Sequence, residues 1–399
     1  MNAPPAATKT EVGLIYGTGL VQGLALVTFP AASSIFTSPG GYGFSSARYG
    51  MMFLPQVLLA ILASSLAPKF AKRYSLKRVL VAGIVADLVS MSLLASSKFL
   101  LSSPDAAFGL LLIATGALGF GFGATLMALN TYTESFFPAR SDRAVLALNA
   151  LLGTGTALAP LLIALFLGLG VWWGLPILVA CTLALILISA LRQPLQFHFP
   201  GDGSSSAAGS FRGLPSRFWL YAAVVFLYGV VETLNGNWAP LYLTTQRGVS
   251  AQGASLALTS FWAMVTIGRI LFAYLSARVP VRWIYVGLPV LLIVAFQAVS
   301  LASGRTMGIF AFGFAGLACS AFFPLSISLA GEESPRLASV MSGELIAFYQ
   351  LGYGVAAFGM APLRELTGLP FSSMYSYGSV AAACMGILAW SLIRKNSGV

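Results

Sequence analysis

Apolar runs of about twenty residues recur twelve times along the chain, each followed by a short polar gap. A run of that length, wound as a helix, crosses a hydrocarbon layer about 30 Å thick. The runs predict helices over 12–36, 48–67, 78–97, 106–130, 144–168 and 171–192, then over 216–242, 252–276, 281–302, 306–330, 338–362 and 372–394. Between the sixth and seventh lies the most polar stretch, 193–215, rich in Gly and Ser, which reads as a flexible linker. The expected fold is all-α and polytopic: twelve transmembrane helices in two six-helix pseudo-repeats, 1–192 and 216–399, joined by 193–215.

Composition leaves little room for another class. Hydrophobic residues make up 58% of the 399 residues and charged ones only 8%, more apolar surface than a soluble domain could bury. The basic residues are sorted between alternate gaps. With the N-terminus inside, 17 of the 22 Lys and Arg residues fall on the inner side, among them Lys72, Arg73, Lys77, Arg78, Arg140 and Arg143. The outer gaps hold only Arg48, Lys98, Arg247, Arg305 and Arg364. Both termini are therefore expected in the cytoplasm of a bacterial inner membrane. The net charge of +11 is then an orientation signal matched to lipid headgroups, and nucleic acid is not an expected partner.

The stretch before Thr10 is too short and proline-rich for a signal peptide and is expected to remain as a tail. Cys181, Cys319 and Cys384 lie apart within predicted spans, and the lone His198 falls in the linker, so neither a disulfide framework nor a metal site is expected. No Gly-Lys pair occurs, which removes a Walker A phosphate loop. No cofactor and no enzymatic chemistry are expected. Transport by such a chain would draw its energy from a gradient.

The halves echo each other at an offset of about 200 residues. Lys72-Arg73 after the second span matches Arg278 after the eighth, and Glu134 with Pro138 after the fourth matches Glu332, Glu333 and Pro335 after the tenth. Repeats of this kind build two bundles around a pathway. This layout, with the basic run Gly268-Arg269 to Arg278 and a looser first copy from Pro68 to Arg78, resembles the major facilitator superfamily over essentially the whole chain. The acidic residue usual in that family's loop falls on Lys72 in one copy and Ala277 in the other, so its latch contact is not implied here. Gly121-Phe122-Gly123, Asn130-Thr131-Tyr132, Phe137-Pro138, Asn149-Ala150 and Tyr228-Gly229 with Glu232 and Trp238 are similar to fucose and glucose permease-like members. The resemblance implies alternating access, with spans one, four, seven and ten lining the pathway and spans three, six, nine and twelve peripheral.

An ionised acid at the bilayer centre costs at least about 2.5–3.5 kcal/mol, so each intramembrane carboxyl is informative. Glu232, deep in the seventh span with no Lys or Arg at its depth, is the first candidate for proton coupling. Asp87 in the third span is the second; in a peripheral span an acid also serves to tie helices together. Glu344 lies two turns into the eleventh span and is expected at a gate. Gate contacts are likewise expected among Arg73, Glu134, Arg140, Arg269, Arg278, Glu332, Glu333 and Arg336, with Glu134, Glu332 and Glu333 facing the arginines of their own loops.

Amides and phenols hydrogen-bond hydroxyls from both sides, and indole faces stack on apolar ring surfaces. Candidates for binding solute are Tyr16 and Gln22 in the first span, Gln56 in the second, Asn130 in the fourth and Asn149 in the fifth. The seventh span adds Tyr228, Asn235, Asn237 and Trp238, the eighth Trp262, and the eleventh Tyr349, Gln350 and Tyr353. Asn and Gln within spans also join helices, and Trp238 near a span end also suits an interface anchor. Gly116, Gly119 and Gly123 share one face of the fourth span and are expected to pack against a helix. Pro30, Pro55, Pro160, Pro240 and Pro324 are expected to kink their spans.

Without Arg or Lys in mid-span lining positions, a strongly anionic solute is disfavoured. The set suits proton-coupled movement of a small, largely neutral polar solute such as a sugar, by a monomer set in lipid. The alternative is a drug/proton antiporter exporting lipophilic compounds. Such an exporter usually carries Gly-Pro-x-x-Gly-Gly in span five, where this chain reads Ala159-Pro160-Leu161-Leu162-Ile163-Ala164.

Overall fold

The computed structural model describes residues 7–195, 214–334 and 337–394. His198, Arg212, Arg336, Lys395 and most of the 193–215 linker lie outside the described residues. Among those described, twelve helices are long and apolar enough to cross a membrane. The first six are Lys9–Thr37, Ser46–Arg73, Leu76–Leu100, Pro104–Phe136, Arg143–Gly168 and Gly174–Arg192. The second six are Phe218–Arg247, Ala251–Leu275, Val281–Leu301, Gly304–Glu333, Met341–Thr367 and Phe371–Arg394. The order matches the expected spans, and several helices run past the apolar core. The fourth, for example, continues to Phe136, because a helix keeps its hydrogen bonds beyond the lipid and hydropathy marks only the part in hydrocarbon.

Local chemistry sets the ends. Thr8 and Glu11 form a capping box at the first span, and Ser75 and Ser250 accept from Arg78 and Gly253 amides at the third and eighth. Pro104 opens the fourth span, where its missing N–H has no intrahelical partner anyway. Gly248 (φ 62°) and Gly368 (φ 66°) close the seventh and eleventh in the left-handed conformation. Pro55 and Pro324, expected to kink their spans, lie instead in the first turns of Phe53–Arg73 and Phe322–Glu333, a position proline tolerates. The tenth span is accordingly two helices, Gly304–Cys319 and Phe322–Glu333, with Ser320 and Ala321 between them.

The chain divides into two compact units, Met1–Gly201 and Asp202–Val399. Within the first, span one packs on five, two on four and three on six; within the second, seven packs on eleven, eight on ten and nine on twelve. Glycines let backbones meet at these seams. A methyl group on Gly119 would fall 2.0 Å from the Gln56 carbonyl oxygen and one on Gly123 2.5 Å from that of Ala60, which fixes the fourth span against the second. Large apolar side chains remain outward, as in the stripe Leu54, Leu58, Leu62 and Leu66 on the second span, which hydrocarbon rather than water must cover.

Candidate functional site

The second unit holds a polar seam between its seventh and eleventh spans. Two glycines set the spacing. A methyl group on Gly229 would come within 2.3 Å of the Tyr349 carbonyl oxygen, and one on Gly352 within 2.0 Å of that of Phe226, so any larger residue would push the helices apart. At that separation the phenol of Tyr349 reaches across and donates to Glu232 Oε2 at 2.5 Å. Tyr228, one turn before Glu232 on the same face, donates to Oε1 at 2.7 Å. Each oxygen of a buried carboxyl therefore has its own hydroxyl partner.

The same Tyr228 hydroxyl lies 3.0 Å from the carbonyl oxygen of Cys319, the last residue of the first helix of the tenth span. Its ring stacks on Phe322 (5.9 Å, 17°) and Phe323 (5.9 Å, 10°), the first residues of the second helix. The neighbouring carbonyl of Ser320 accepts from Arg269 Nε at 3.3 Å. Pro324 explains why Ser320 needs a side chain: the residue four positions on has no N–H to give. Further along the seam, Asn237 Nδ2 donates to Tyr353 Oη at 3.2 Å and the indole N–H of Trp238 to the Ala356 carbonyl at 3.1 Å.

The first unit has a different buried acid. Asp87 in the third span is fully buried, and the Gln22 amide donates to its Oδ1 at 3.4 Å, a long contact. The Thr125 hydroxyl also meets this carboxyl, while the Gln22 Oε1 has no hydrogen-bond partner among the described residues. A methyl group on Gly121 would fall 2.2 Å from Asp87 Oδ1, so the fourth span presses its glycine directly on the carboxyl.

The other candidates scatter. Tyr16 donates to the Ala144 carbonyl at 3.0 Å and ties the first span to the fifth. Asn130, Asn149 and Asn235 donate to Leu126, Val145 and Val231, carbonyls of their own helices, at 3.0, 2.9 and 2.9 Å. Asn235 Oδ1, Gln56 Oε1 and Trp262 Nε1 are buried without a partner, while Gln350 is half-buried. Trp238 is fully buried against Phe371.

Among the gate candidates, Arg73 and Arg278 lie over the rings of Tyr74 and Tyr274, at 5.3 and 4.7 Å. Glu134, Arg140 and Glu332 are exposed, and Glu344 is half-buried. Arg269 lies in the eighth helix, as the span predicted over 252–276 has it, and donates to the Ser320 carbonyl. Glu333, expected to face the arginine of its own loop, pairs with Arg217 at the start of the seventh span, 2.8 Å away, and also accepts from Tyr221 at 2.8 Å. This pair lines a cavity of about 590 Å³ with Arg282 and Glu332. Sequence reasoning missed Arg217 and Tyr221 because both partners are more than a hundred positions from Glu333; the only signal was an Arg at a span end.

Twelve helical spans in two units of like internal packing, with buried acids and amides along their seams, define the class of multi-pass membrane transporters. The chain belongs to the Major Facilitator Superfamily, whose family model matches residues 15–357. It is 24% identical over 308 residues to the glucose/mannose transporter GlcP of Bacillus subtilis (strain 168), a match covering 73% of each chain. Among solved structures it resembles the nucleoside transporter NupG (TM-score 0.74, 14% identity, 96% of this chain and 98% of that one). It also resembles a D-xylose–proton symporter (0.73, 14%, 96% and 97%) and the E. coli fucose:proton symporter FucP (0.63, 14%, 96% and 98%).

Proposed function

We propose that this chain is a proton-coupled transporter that moves a small, largely neutral polar solute of the sugar class by alternating access between its two units. The observation that carries this reading is the Glu232 carboxyl, buried in a span and held by two phenols. An acid so placed can take up a proton, and its neutral form is held in the membrane interior at far lower cost than the charged one, with the Arg269 guanidinium beside its two phenols. The Asn237 amide and the Tyr353 phenol along the same seam offer both donors and acceptors to hydroxyl groups. The likeness to a glucose/mannose transporter supports a sugar as the solute, and the likeness to xylose– and fucose–proton symporters supports the proton as the coupling ion. Lipophilic drug export is the less favoured reading, since the second unit's seam is polar.

In this reading Asp87 ties the third span to the first, and the charged ends of the spans, among them Glu134, Arg140, Arg278, Glu332, Arg336 and Glu344, make and break contacts as access alternates. The distribution of Lys and Arg supports cytoplasmic termini in a bacterial inner membrane, with a monomer as the working unit.

The test is solute uptake into proteoliposomes with an imposed pH gradient. One pH unit is worth about 1.4 kcal/mol per proton, enough for roughly tenfold accumulation at one proton per solute. The native chain is expected to accumulate a hexose, pentose or deoxyhexose. Glu232→Gln is expected to equilibrate solute without concentrating it. Accumulation by the Glu232→Gln chain equal to native would reject Glu232 as the coupling acid, and gradient-driven extrusion of lipophilic cations would favour export.

A further inference from the structure

We infer that Tyr228 is a proton-sensitive clamp on the break in the tenth span, closed when Glu232 carries its proton and open when it does not. The inference rests on Glu232 as the coupling acid and adds what its proton does to the fold.

The argument is a count of hydrogens. The Tyr228 hydroxyl has one hydrogen and two acceptors in reach, Glu232 Oε1 at 2.7 Å and the Cys319 carbonyl at 3.0 Å. When Glu232 is ionised, both of its oxygens accept, and Tyr228 and Tyr349 each point a hydrogen at the carboxylate, the stronger acceptor. The Cys319 carbonyl is then left without the Tyr228 donor. When Glu232 takes up one proton, the new O–H on Oε1 donates to the Tyr228 oxygen. The phenol's own hydrogen turns to Cys319, while Tyr349 keeps its bond to Oε2. One proton bound therefore adds one hydrogen bond, and that bond crosses from the seventh span to the tenth.

Position makes this bond matter. Cys319 ends one helix of the tenth span, and Phe322 and Phe323, on which the Tyr228 ring stacks, begin the next. With its hydroxyl on one side of the break and its ring on the other, Tyr228 bridges the two helices. The second carbonyl of the break, Ser320, keeps its bond from Arg269 in either state, so the hinge is held on one side and switched on the other. The titratable and charged groups around Glu232 and its two phenols come from each packed element: Tyr228 on its own span, Arg269 on the eighth beside both phenols, the Cys319 thiol on the tenth, and Tyr349 on the eleventh with Tyr353 beside it. The twelfth packs Tyr375 on the seventh span, its hydroxyl donating to the Leu234 carbonyl at 2.7 Å.

The test is amide hydrogen exchange across 319–325 in the full chain held in lipid nanodiscs, compared at one alkaline and one acidic pH after correction for the intrinsic pH dependence of exchange. The native chain is expected to exchange about fivefold faster in this segment at the alkaline pH, the effect of one hydrogen bond worth about 1 kcal/mol. Glu232→Gln, whose amide donates to Tyr228 permanently, is expected to stay slow at both pH values. Tyr228→Phe, which keeps the ring and loses the hydroxyl, is expected to stay fast at both, and the double variant to behave as Tyr228→Phe. A pH response retained in Tyr228→Phe would overturn the clamp, as would exchange in Glu232→Gln matching the native alkaline rate. Exchange in the twelfth span controls for general loosening. Accumulation retained by Glu232→Gln instead removes the coupling acid itself, so the two failures are separable.

Discussion

The two units place a polar residue before the same structural glycine and use it in opposite ways. Gln22 precedes Gly23, which lies against the backbone of the fifth span, and Tyr228 precedes Gly229, which lies against that of the eleventh. Gln22 turns to the acid of the third span, Asp87, and meets it with one long bond. Tyr228 turns to an acid on its own span, and a second phenol completes that site. Both acids are buried, yet their surroundings differ in what they can accommodate. In the proposed reading two hydroxyls solvate an ionised Glu232 and re-orient around a neutral one, whereas Asp87 has one long amide contact, the Thr125 hydroxyl and a glycine pressed on its carboxyl. On that reading, burial alone does not mark a proton carrier; reversible partners do.

The largest test of that contrast is Glu232→Gln in the proteoliposome assay, where roughly tenfold accumulation per pH unit should fall to none. The equivalent change in the first unit, Asp87→Asn, is the control that gives it meaning, and its smaller expected effect is set out below.

Next in size is the seam itself. Gly229→Ala and Gly23→Ala each put a methyl group within about 2.3 Å of a carbonyl on the facing helix, so both should lower stability by about 1–3 kcal/mol, measured by thermal melting in detergent. Only Gly229→Ala moves Tyr349 away from Glu232, so only it should also reduce gradient-driven accumulation. Equal losses of transport in the two variants would mean that the seams matter for packing alone.

Asp87→Asn keeps the shape of the side chain and removes the charge. If the acid only ties helices, accumulation should match the native chain and stability should change by less than about 1 kcal/mol, since the amide can keep the Gln22 contact. Loss of accumulation with an unchanged melting temperature would make Asp87 the coupling acid and reverse the comparison.

How much of this was legible before folding depends on whether the cause is local. Twelve spans follow from hydropathy because hydrocarbon demands about twenty apolar residues whatever lies elsewhere. Glu232 stood out because a carboxyl in such a run is costly wherever its partners come from. Its partners were partly visible: Tyr228 lies one turn away, whereas Tyr349 is 117 positions on and needs the Gly229–Gly352 contact to arrive. The Cys319 and Ser320 carbonyls were invisible, since every residue has one. Pro324 hinted at the break, though its place at a helix start rather than in a kink needed the structure. For Asn130 and Asn149 the structure adds that each amide N–H turns back to its own helix, a choice that composition does not reveal.

The smallest expected effect separates the units by their ion pairs. In the second, Arg217 and Glu333 are mostly shielded, with 26% and 19% of their side-chain surfaces exposed, and Tyr221 adds a bond to the same carboxylate oxygen. In the first, Arg48 and Asp105 meet at 2.7 Å with 40% and 87% exposed. Water and salt screen such a pair, and exposed ion pairs contribute at most about 1 kcal/mol. Asp105 also lies in the first turn of the fourth span, where a negative charge meets the positive end of the helix dipole at a gain of a few tenths of a kcal/mol. Asp105→Asn should therefore lower stability by about 0.5 kcal/mol at low salt and by less in about 1 M salt, where the screening length falls to about 3 Å. Thermal melting at the two salt concentrations measures both values, and accumulation should not change. A salt-independent loss above about 1 kcal/mol would show that the Arg48–Asp105 pair is shielded in the membrane-embedded protein, which would remove this difference between the two units.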